Sequence, residues 1–323
     1  MSPPAFTVII CTYNRAALLE YCLESLSRQD TPPPDWELLI VDNNSTDATP
    51  RVSSDWLAAH PEVTGRYVLE RRQGLSHARN RGYLEARSPW VMYLDDDAKA
   101  DEGFLKRTAE LVKQGHYRIV GGVYYPWYHF GRPRWYQDRY ASNALPRYRQ
   151  LSVPPVNYVA TGGVMLWEKQ LLAELGGFDP RVGMVGDRIA YGEETYLQVK
   201  ARGRGVAVAY DPQLIIYHVV MPVKLKVDWF FTSYFAAGRD AVIGGQIARG
   251  WRSVPKQLII AIAVTLKDLL LCTPKLVRRD YFVENWLIDV FRKTAKRAGT
   301  IYTALLLDRE VVPTPSNPAN RVP

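Results

Sequence analysis

Cysteine is scarce in this chain: Cys11, Cys22 and Cys272 are the only three in 323 residues. They show no metal-ligand spacing, and an odd number offers no complete disulfide framework. A disulfide-stapled scaffold and a zinc ribbon are therefore excluded, and a reducing compartment is favoured. Long apolar runs are also lacking. The longest, residues 258–271, is interrupted by Lys267 and Asp268 and falls short of the roughly 20 apolar residues that span a bilayer. A peripheral membrane contact stays open. The first residues carry neither a basic patch nor an apolar stretch, so no secretory signal is expected. There is no internal repeat, which removes solenoid folds. Acidic residues are outnumbered, and the formal net charge of +8 suits an anionic partner such as nucleic acid, anionic lipid or a nucleoside diphosphate. With 47% hydrophobic residues the chain can build one large core, with or without an appended region.

What is present is an alternation of strand and helix patterns. Residues 6–10 form a β-branched apolar run, and Leu18, Leu19, Cys22, Leu23 and Leu26 then recur at helical spacing. A second strand is expected over 37–41. A helix follows over 47–59, with Asp47 as its N-cap. Residues 67–69 read as a strand, 75–86 as a helix and 90–94 as a fourth strand. Strands alternating with helices imply βαβ units and a mainly parallel sheet. Further strands are expected over 119–123, 159–167, 206–210 and 214–219, with helices over 168–175 and 193–202; Gly176-Gly177 ends the first of these. Between 124 and 149 aromatic and basic residues interleave, among them Trp127, Tyr128, Trp135, Arg132 and Arg139. Beyond Pro222 the pattern is helical and basic to about residue 312, and 313–323, rich in Pro and Asn, is expected to be disordered.

The densest chemical signal is Asp95-Asp96-Asp97, at the end of the fourth apolar run. Unpaired ionised carboxylates cost several kcal/mol to bury, so such a cluster meets cations or stays solvated. In an open α/β sheet the crevice beyond the strands' carboxyl ends binds ligands. Closely spaced carboxylates there suit Mg²⁺ or Mn²⁺ with a diphosphate, against the plainer alternative of a solvated acidic turn. Arg79, near the start of the third helix, is read as reaching nucleotide or phosphate in the same crevice, the plainer role being a surface ion pair. Gly162-Gly163 would let backbone approach a ligand closely, or serve only as turn punctuation.

Several motifs then fall in one order: Val8-Ile9-Ile10-Cys11-Thr12-Tyr13-Asn14-Arg15, Val41-Asp42-Asn43-Asn44-Ser45-Thr46-Asp47, Gly74-Leu75-Ser76-His77-Ala78-Arg79-Asn80-Arg81-Gly82, Leu94-Asp95-Asp96-Asp97, Gly176-Gly177-Phe178-Asp179 and Gly192-Glu193-Glu194. Over residues 6–218 the chain resembles the family 2 glycosyltransferases, inverting enzymes of the GT-A fold. The resemblance implies a Rossmann-like, mainly parallel α/β sheet flanked by helices, with a helical C-terminal extension. It implies that Thr12, Tyr13, Arg15, Asp42, Asn44, Arg79, Asp95, Asp96, Gly162 and Gly163 serve a nucleotide-sugar donor. Asp42 would accept an N–H from the base, slightly favouring UDP- or dTDP-sugars, and Asp95 or Asp96 would touch ribose. Asp97 would ligate Mn²⁺ or Mg²⁺, with Asp95 and His218 as further candidate ligands. Family members usually carry Glu-Asp where this chain has Glu193-Glu194; Glu194 is assigned as the base, with Glu193 as the alternative.

The division implied is a catalytic domain over 1–222, in which 124–149 forms an acceptor-side insertion, followed by a helical region over 223–312. The expected activity is transfer of a sugar to a hydroxyl of a glycan or lipid-linked acceptor, in the cytoplasm or at the inner face of the membrane. A sugar-phosphate nucleotidyltransferase would need a glycine-rich loop after the first strand, and Cys11-Thr12-Tyr13-Asn14-Arg15 contains no glycine. The non-enzymatic alternative is a basic, aromatic-rich glycan- or nucleic-acid-binding module. That alternative leaves Asp95–Asp97 and Glu193-Glu194 unexplained.

Overall fold

The computed structural model describes residues 3–155, 158–185, 190–243 and 251–307; the expected disordered tail, 313–323, lies outside them. Two compact units are present, Met1–Lys226 and Val227–Pro323.

The first unit opens with β1 (Phe6–Thr12), α1 (Ala16–Ser27), β2 (Trp36–Asp42), α2 (Thr49–Ala59), β3 (Gly65–Leu69), α3 (Leu75–Glu85) and β4 (Trp90–Asp95). It continues with β5 (Ala98–Ala100), α4 (Phe104–Gln114), β6 (Ile119–Trp127), β7 (Val164–Glu168), α5 (Lys169–Leu175), α6 (Glu193–Gly203) and β8 (Ala209–Val219). The eight strands form one sheet in the order β3-β2-β1-β4-β7-β6-β8-β5. Successive side chains on a strand face opposite ways, so the buried strands supply two cores. Val8, Ile10, Leu38, Ile40, Met92 and Leu94 pack with Leu19 and Leu23 of α1 and Phe104 of α4. Ile9, Leu39, Val41, Val91 and Tyr93 pack with Ala78 of α3, Leu171 of α5 and Leu197 of α6. Each fully buried aliphatic or aromatic side chain contributes roughly 1.5–3 kcal/mol, which is why these strands read as near-continuous apolar runs.

The parallel character expected of the sheet holds where helices cross over: β1 runs parallel to β2 and β4, and β2 to β3. It fails at β7, which is antiparallel to both β4 and β6, and at β5, antiparallel to β8. The sheet is therefore mixed. A return without a crossover helix brings a strand back antiparallel, and the segment between β6 and β7 holds only a short 3₁₀ turn at Asp138–Tyr140 among its described residues.

Other boundaries moved for local reasons. Residues 162 and 163 are a turn, so β7 starts only at Val164. The two strands expected over 206–210 and 214–219 are one, β8. Helix α4 and the three-residue β5 were not anticipated. Asp47 precedes α2 by two residues; its carboxylate accepts from Thr49 N at 2.9 Å and from Ala16 N at 3.0 Å. One anion thus serves the first turns of both α1 and α2, where the helix dipole favours it.

The second unit holds α7 (Val227–Ile243), α8 (Val254–Cys272) and α9 (Val283–Leu307). Helices α7 and α9 approach closely at Gly238 and Gly299. A Cβ on Gly238 would fall 1.8 Å from the Lys296 carbonyl oxygen, and one on Gly299 2.0 Å from that of Phe235.

Candidate active site

The strand order reverses around β1, with β2 on one side and β4 on the other, and a crevice opens at the carboxyl ends of such a pair. The loops after β1, β2 and β4 meet there. Asn14, at φ 50°, ties two of them together: its Oδ1 accepts from Thr46 N at 2.7 Å, and its own N–H donates to Ser45 Oγ at 2.9 Å. Thr12 is buried, Tyr13 half-buried, and Asn44, at φ 66°, is exposed.

The acidic triplet is not left to repel itself. Arg15 Nη1 donates to Asp96 Oδ1 at 2.9 Å and to Asp97 Oδ2 at 3.0 Å. Cation and carboxylates neutralise each other at the mouth, so Arg15, expected to meet the donor, already clamps two of the triplet's members. Burial pushes Asp96 up to about 6, opposed by Arg15 and reinforced by Asp97. Burial also works against the charge on Asp97, but His218, Lys224 and Arg15 outweigh it and hold that carboxyl below the usual range. Lys224, in a short turn at Pro222–Leu225, carried no motif that could have revealed it.

Strand β5 explains how His218 arrives. After the triplet the chain folds back, Ala98 pairs with His218 on β8, and Val219 N donates to the Asp97 carbonyl at 2.9 Å. His218 Nε2 then lies 3.1 Å from Asp97 Oδ1 and 3.8 Å from Asp95 Oδ2. Its Nδ1 is 3.0 Å from the Val219 carbonyl oxygen, a partner that accepts only, so Nδ1 carries a proton. Nε2 is left either to carry a second proton towards Asp97 or to offer its lone pair to a cation. Ligand atoms of Asp95, Asp97 and His218 lie within 4.8 Å of one another, and the buried Asp97 Oδ1 accepts no hydrogen bond. Two carboxylates and an imidazole nitrogen are a fitting donor set for Mn²⁺, which takes both oxygen and nitrogen ligands.

On the facing side, Gly192 at φ 107° starts α6 and aims Glu193 and Glu194 from its first turn, where the dipole favours acids. Arg79 joins the two halves. It is 3% exposed; its Nη1 donates to Glu193 Oε1 at 2.6 Å, and its Nη2 is 3.9 Å from Asp95 Oδ1. Its guanidinium also lies over the rings of Tyr93 and Phe178. Two carboxylates and two aromatic faces thus surround Arg79, and desolvation without them would be prohibitive. Gly162 and Gly163 leave this pair its room. A Cβ on Gly162 would sit 2.2 Å from Arg79 Nη2, and one on Gly163 2.4 Å from Asp95 Oδ2. Neither position has space for a side chain beside those charged groups.

Glu193 is therefore pinned. Glu194 is half-buried, and burial, reinforced by the charge of Glu193 and only partly offset by Arg79, pushes it up to about 8. Asp42, expected to face a base, is fully buried; its oxygens accept from Ser45 N at 2.8 Å and the Tyr67 hydroxyl at 2.6 Å. It braces the turn after β2. Asn80, unassigned from sequence, holds the Gly177-Phe178 segment by accepting from Phe178 N and donating to Phe178 O, both at 2.8 Å. Of the 124–149 segment, Tyr124 approaches His218, ring centroids 5.8 Å apart, while Tyr136 is buried.

Comparison with known proteins follows this geometry. The family described as "Glycosyl transferase family 2" matches residues 7–176. A "PGL/p-HBAD biosynthesis glycosyltransferase" of Mycobacterium bovis is 36% identical over 115 residues, 35% of this chain and 43% of the relative. A "GalNAc(5)-diNAcBac-PP-undecaprenol beta-1,3-glucosyltransferase" of Campylobacter jejuni is 30% identical over 120 residues, 36% of this chain and 38% of the relative. The chain thus spans about two-fifths of the length of these curated relatives. Among solved structures, a mannosyltransferase of Pyrobaculum calidifontis in complex with GDP-Man and Mn2+ superposes with a TM-score of 0.64 at 19% identity, covering 94% of this chain and 88% of that one. S. aureus TarS 1-349 in complex with UDP gives 0.52 at 15% identity, covering 93% and 90%. The mixed, helix-flanked sheet is accordingly GT-A-like.

Proposed function

The chain belongs to glycosyl transferase family 2 and is a glycosyltransferase, and from that premise we propose an inverting transfer of one sugar from a nucleoside-diphosphate donor to a hydroxyl acceptor, with Glu194 as the base. The observation that carries this reading is the bridge through Arg79. It ties Glu193 at 2.6 Å to a site 3.9 Å from Asp95, so the glutamate pair and the acidic strand tip border one crevice. Inversion needs that arrangement: a base on one side of the sugar carbon and a held leaving group on the other.

Asp95, Asp97 and His218 would hold Mn²⁺ or Mg²⁺. When bound, the ion supplies positive charge for the diphosphate that departs. The remaining work falls to the chain. Glu193, paired with Arg79, raises its neighbour's proton affinity. Glu194 accepts the acceptor's hydroxyl proton at a carboxylate oxygen as the new glycosidic bond forms. Thr12, Tyr13 and Asn44 border the nucleoside end, and Asp96 is the ribose candidate. UDP- and dTDP-sugars head the donor panel, since each Asp42 oxygen keeps a lone pair beyond its present bond.

Tyr124, half-buried with its ring 5.8 Å from that of His218, would stack on an acceptor sugar. A glycan or lipid-linked acceptor fits the relatives' names, and unpaired cysteines fit a cytoplasmic setting. Residues 1–222 would carry the catalysis.

Calorimetry with a panel of nucleoside diphosphates, with and without Mn²⁺, is the test, read beside turnover. Asp97→Asn is expected to abolish the Mn²⁺-dependent part of donor binding. Glu194→Gln should bind donor as before and lose about 10²–10⁴-fold in kcat. Normal turnover in Glu194→Gln with loss in Glu193→Gln would move the base to Glu193.

A further inference from the structure

An ordinary surface helix turns its apolar stripe inward; α8 does the reverse. Its buried residues are Gln257, Ala261, Asp268 and Cys272. They are tied to α9 by polar contacts: Arg297 Nη1 donates to Gln257 Oε1 at 2.7 Å, and Lys293 Nζ donates to both Asp268 oxygens at 3.0 and 2.8 Å. The Thr265 and Thr294 hydroxyls also bond. On the opposite side Ile259 is 67% exposed and Leu270 77%, with Leu258, Ile262, Leu266 and Leu271 all exposed too. So large a contiguous apolar face marks an interaction surface.

Charge identifies the occupant. From Arg252 to Asp280 the cations are Arg252, Lys256, Lys267, Lys275, Arg278 and Arg279, against two carboxylates, Asp280 and Asp268, the latter already buried against Lys293. An apolar stripe bordered by an excess of cations is the composition of a helix that lies on an anionic bilayer.

We propose that α8 lies in the plane of an anionic lipid surface, its outward stripe among the acyl chains and its lysines and arginines at the headgroups. The helical run Val254–Val277 is 24 residues, longer than the interrupted apolar run suggested, so length alone permits a span. The polar side speaks against one. Spanning would draw Asp268, Gln257 and their partners Lys293 and Arg297 into hydrocarbon, whereas lying flat leaves them on the protein side. The proposal concerns where the chain works and stands whichever sugar it transfers.

Flotation of the full chain with phosphatidylcholine vesicles, with and without phosphatidylglycerol, tests it without reading turnover. The chain is expected to float with the anionic vesicles, to do so less in high salt, and to be released by alkaline carbonate. Combining Ile259→Ser, Leu266→Ser and Leu270→Ser should weaken binding at least about tenfold, with an unchanged circular-dichroism melt. Should that variant not fold, Lys256→Glu with Arg279→Glu decides by the same loss on anionic vesicles. Undiminished flotation of the variant, or no flotation of the unaltered chain, overturns the proposal. So does carbonate-resistant insertion, which would mean a span, or a dimer that the serine variant splits, which would mean a second copy covers the face.

Discussion

Glu194 shares its helix turn with Glu193, and this single neighbour, together with burial, sets how it titrates. Two adjacent carboxylates cannot both ionise cheaply. Arg79 claims Glu193 at 2.6 Å, so the proton settles on Glu194, pushed up to about 8. A base must be deprotonated to act, so turnover should fall about tenfold per pH unit below about 8 and level off above it. A glutamate near its ordinary value of about 4.3 would instead give a flat profile from about 6 to 8. The pH dependence of kcat at saturating donor and acceptor distinguishes the two, and a flat profile would count against Glu194 as the base. Arg15 acts in the same way on Asp96 and Asp97: a protein cation stands beside the carboxylates, so the triplet folds without repelling itself apart.

Elements position these residues by close approach. Helix α3 brings Arg79 to the crevice only because Gly162 leaves the guanidinium its space. Strand β5, three residues long, brings His218 against Asp97. In the second unit, α7 and α9 meet backbone to side at Gly238 and Gly299, with the Thr300 hydroxyl donating to the Gly238 carbonyl at 3.2 Å. Gly238→Ala would drive a methyl into the Lys296 carbonyl, 1.8 Å away. In other helices that exchange gains up to about 1 kcal/mol in propensity; here overpacking should dominate and destabilise by about 1–3 kcal/mol. Urea denaturation of the variant checks the sign, and a stabilised variant would mean the helices separate without cost.

At the scale of the whole chain, the proposed metal site is where folding and function would meet. Asp95 and Asp97 come from the end of β4 and His218 from β8, so an ion that holds all three binds the folded chain alone and must stabilise it. At about a hundred times its dissociation constant the gain is about 2.7 kcal/mol. Mn²⁺ should raise the melting temperature of the unaltered chain and leave Asp97→Asn unmoved. An equal shift in both would place the ion elsewhere.

Much of this was legible in the residues. The alternation of apolar runs with helical spacing marked β1 to β4 and α1 to α3, because buried strands and amphipathic helices each impose their own period. The ordered motifs identified the family, and Asp97 with His218 was named before any geometry. The sequence alone determined the parallel half of the sheet, the acidic strand tip and the glutamate pair. Tertiary structure alone decided which way the charged side chains face. No local pattern shows that Glu193, Asp95, Tyr93 and Phe178 surround Arg79, or that Ser45 and Tyr67 close on Asp42. The mixed strand order and the outward apolar face of α8 were likewise invisible. A local pattern records what a residue prefers to bury, whereas its partner and its facing depend on which distant segment packs against it.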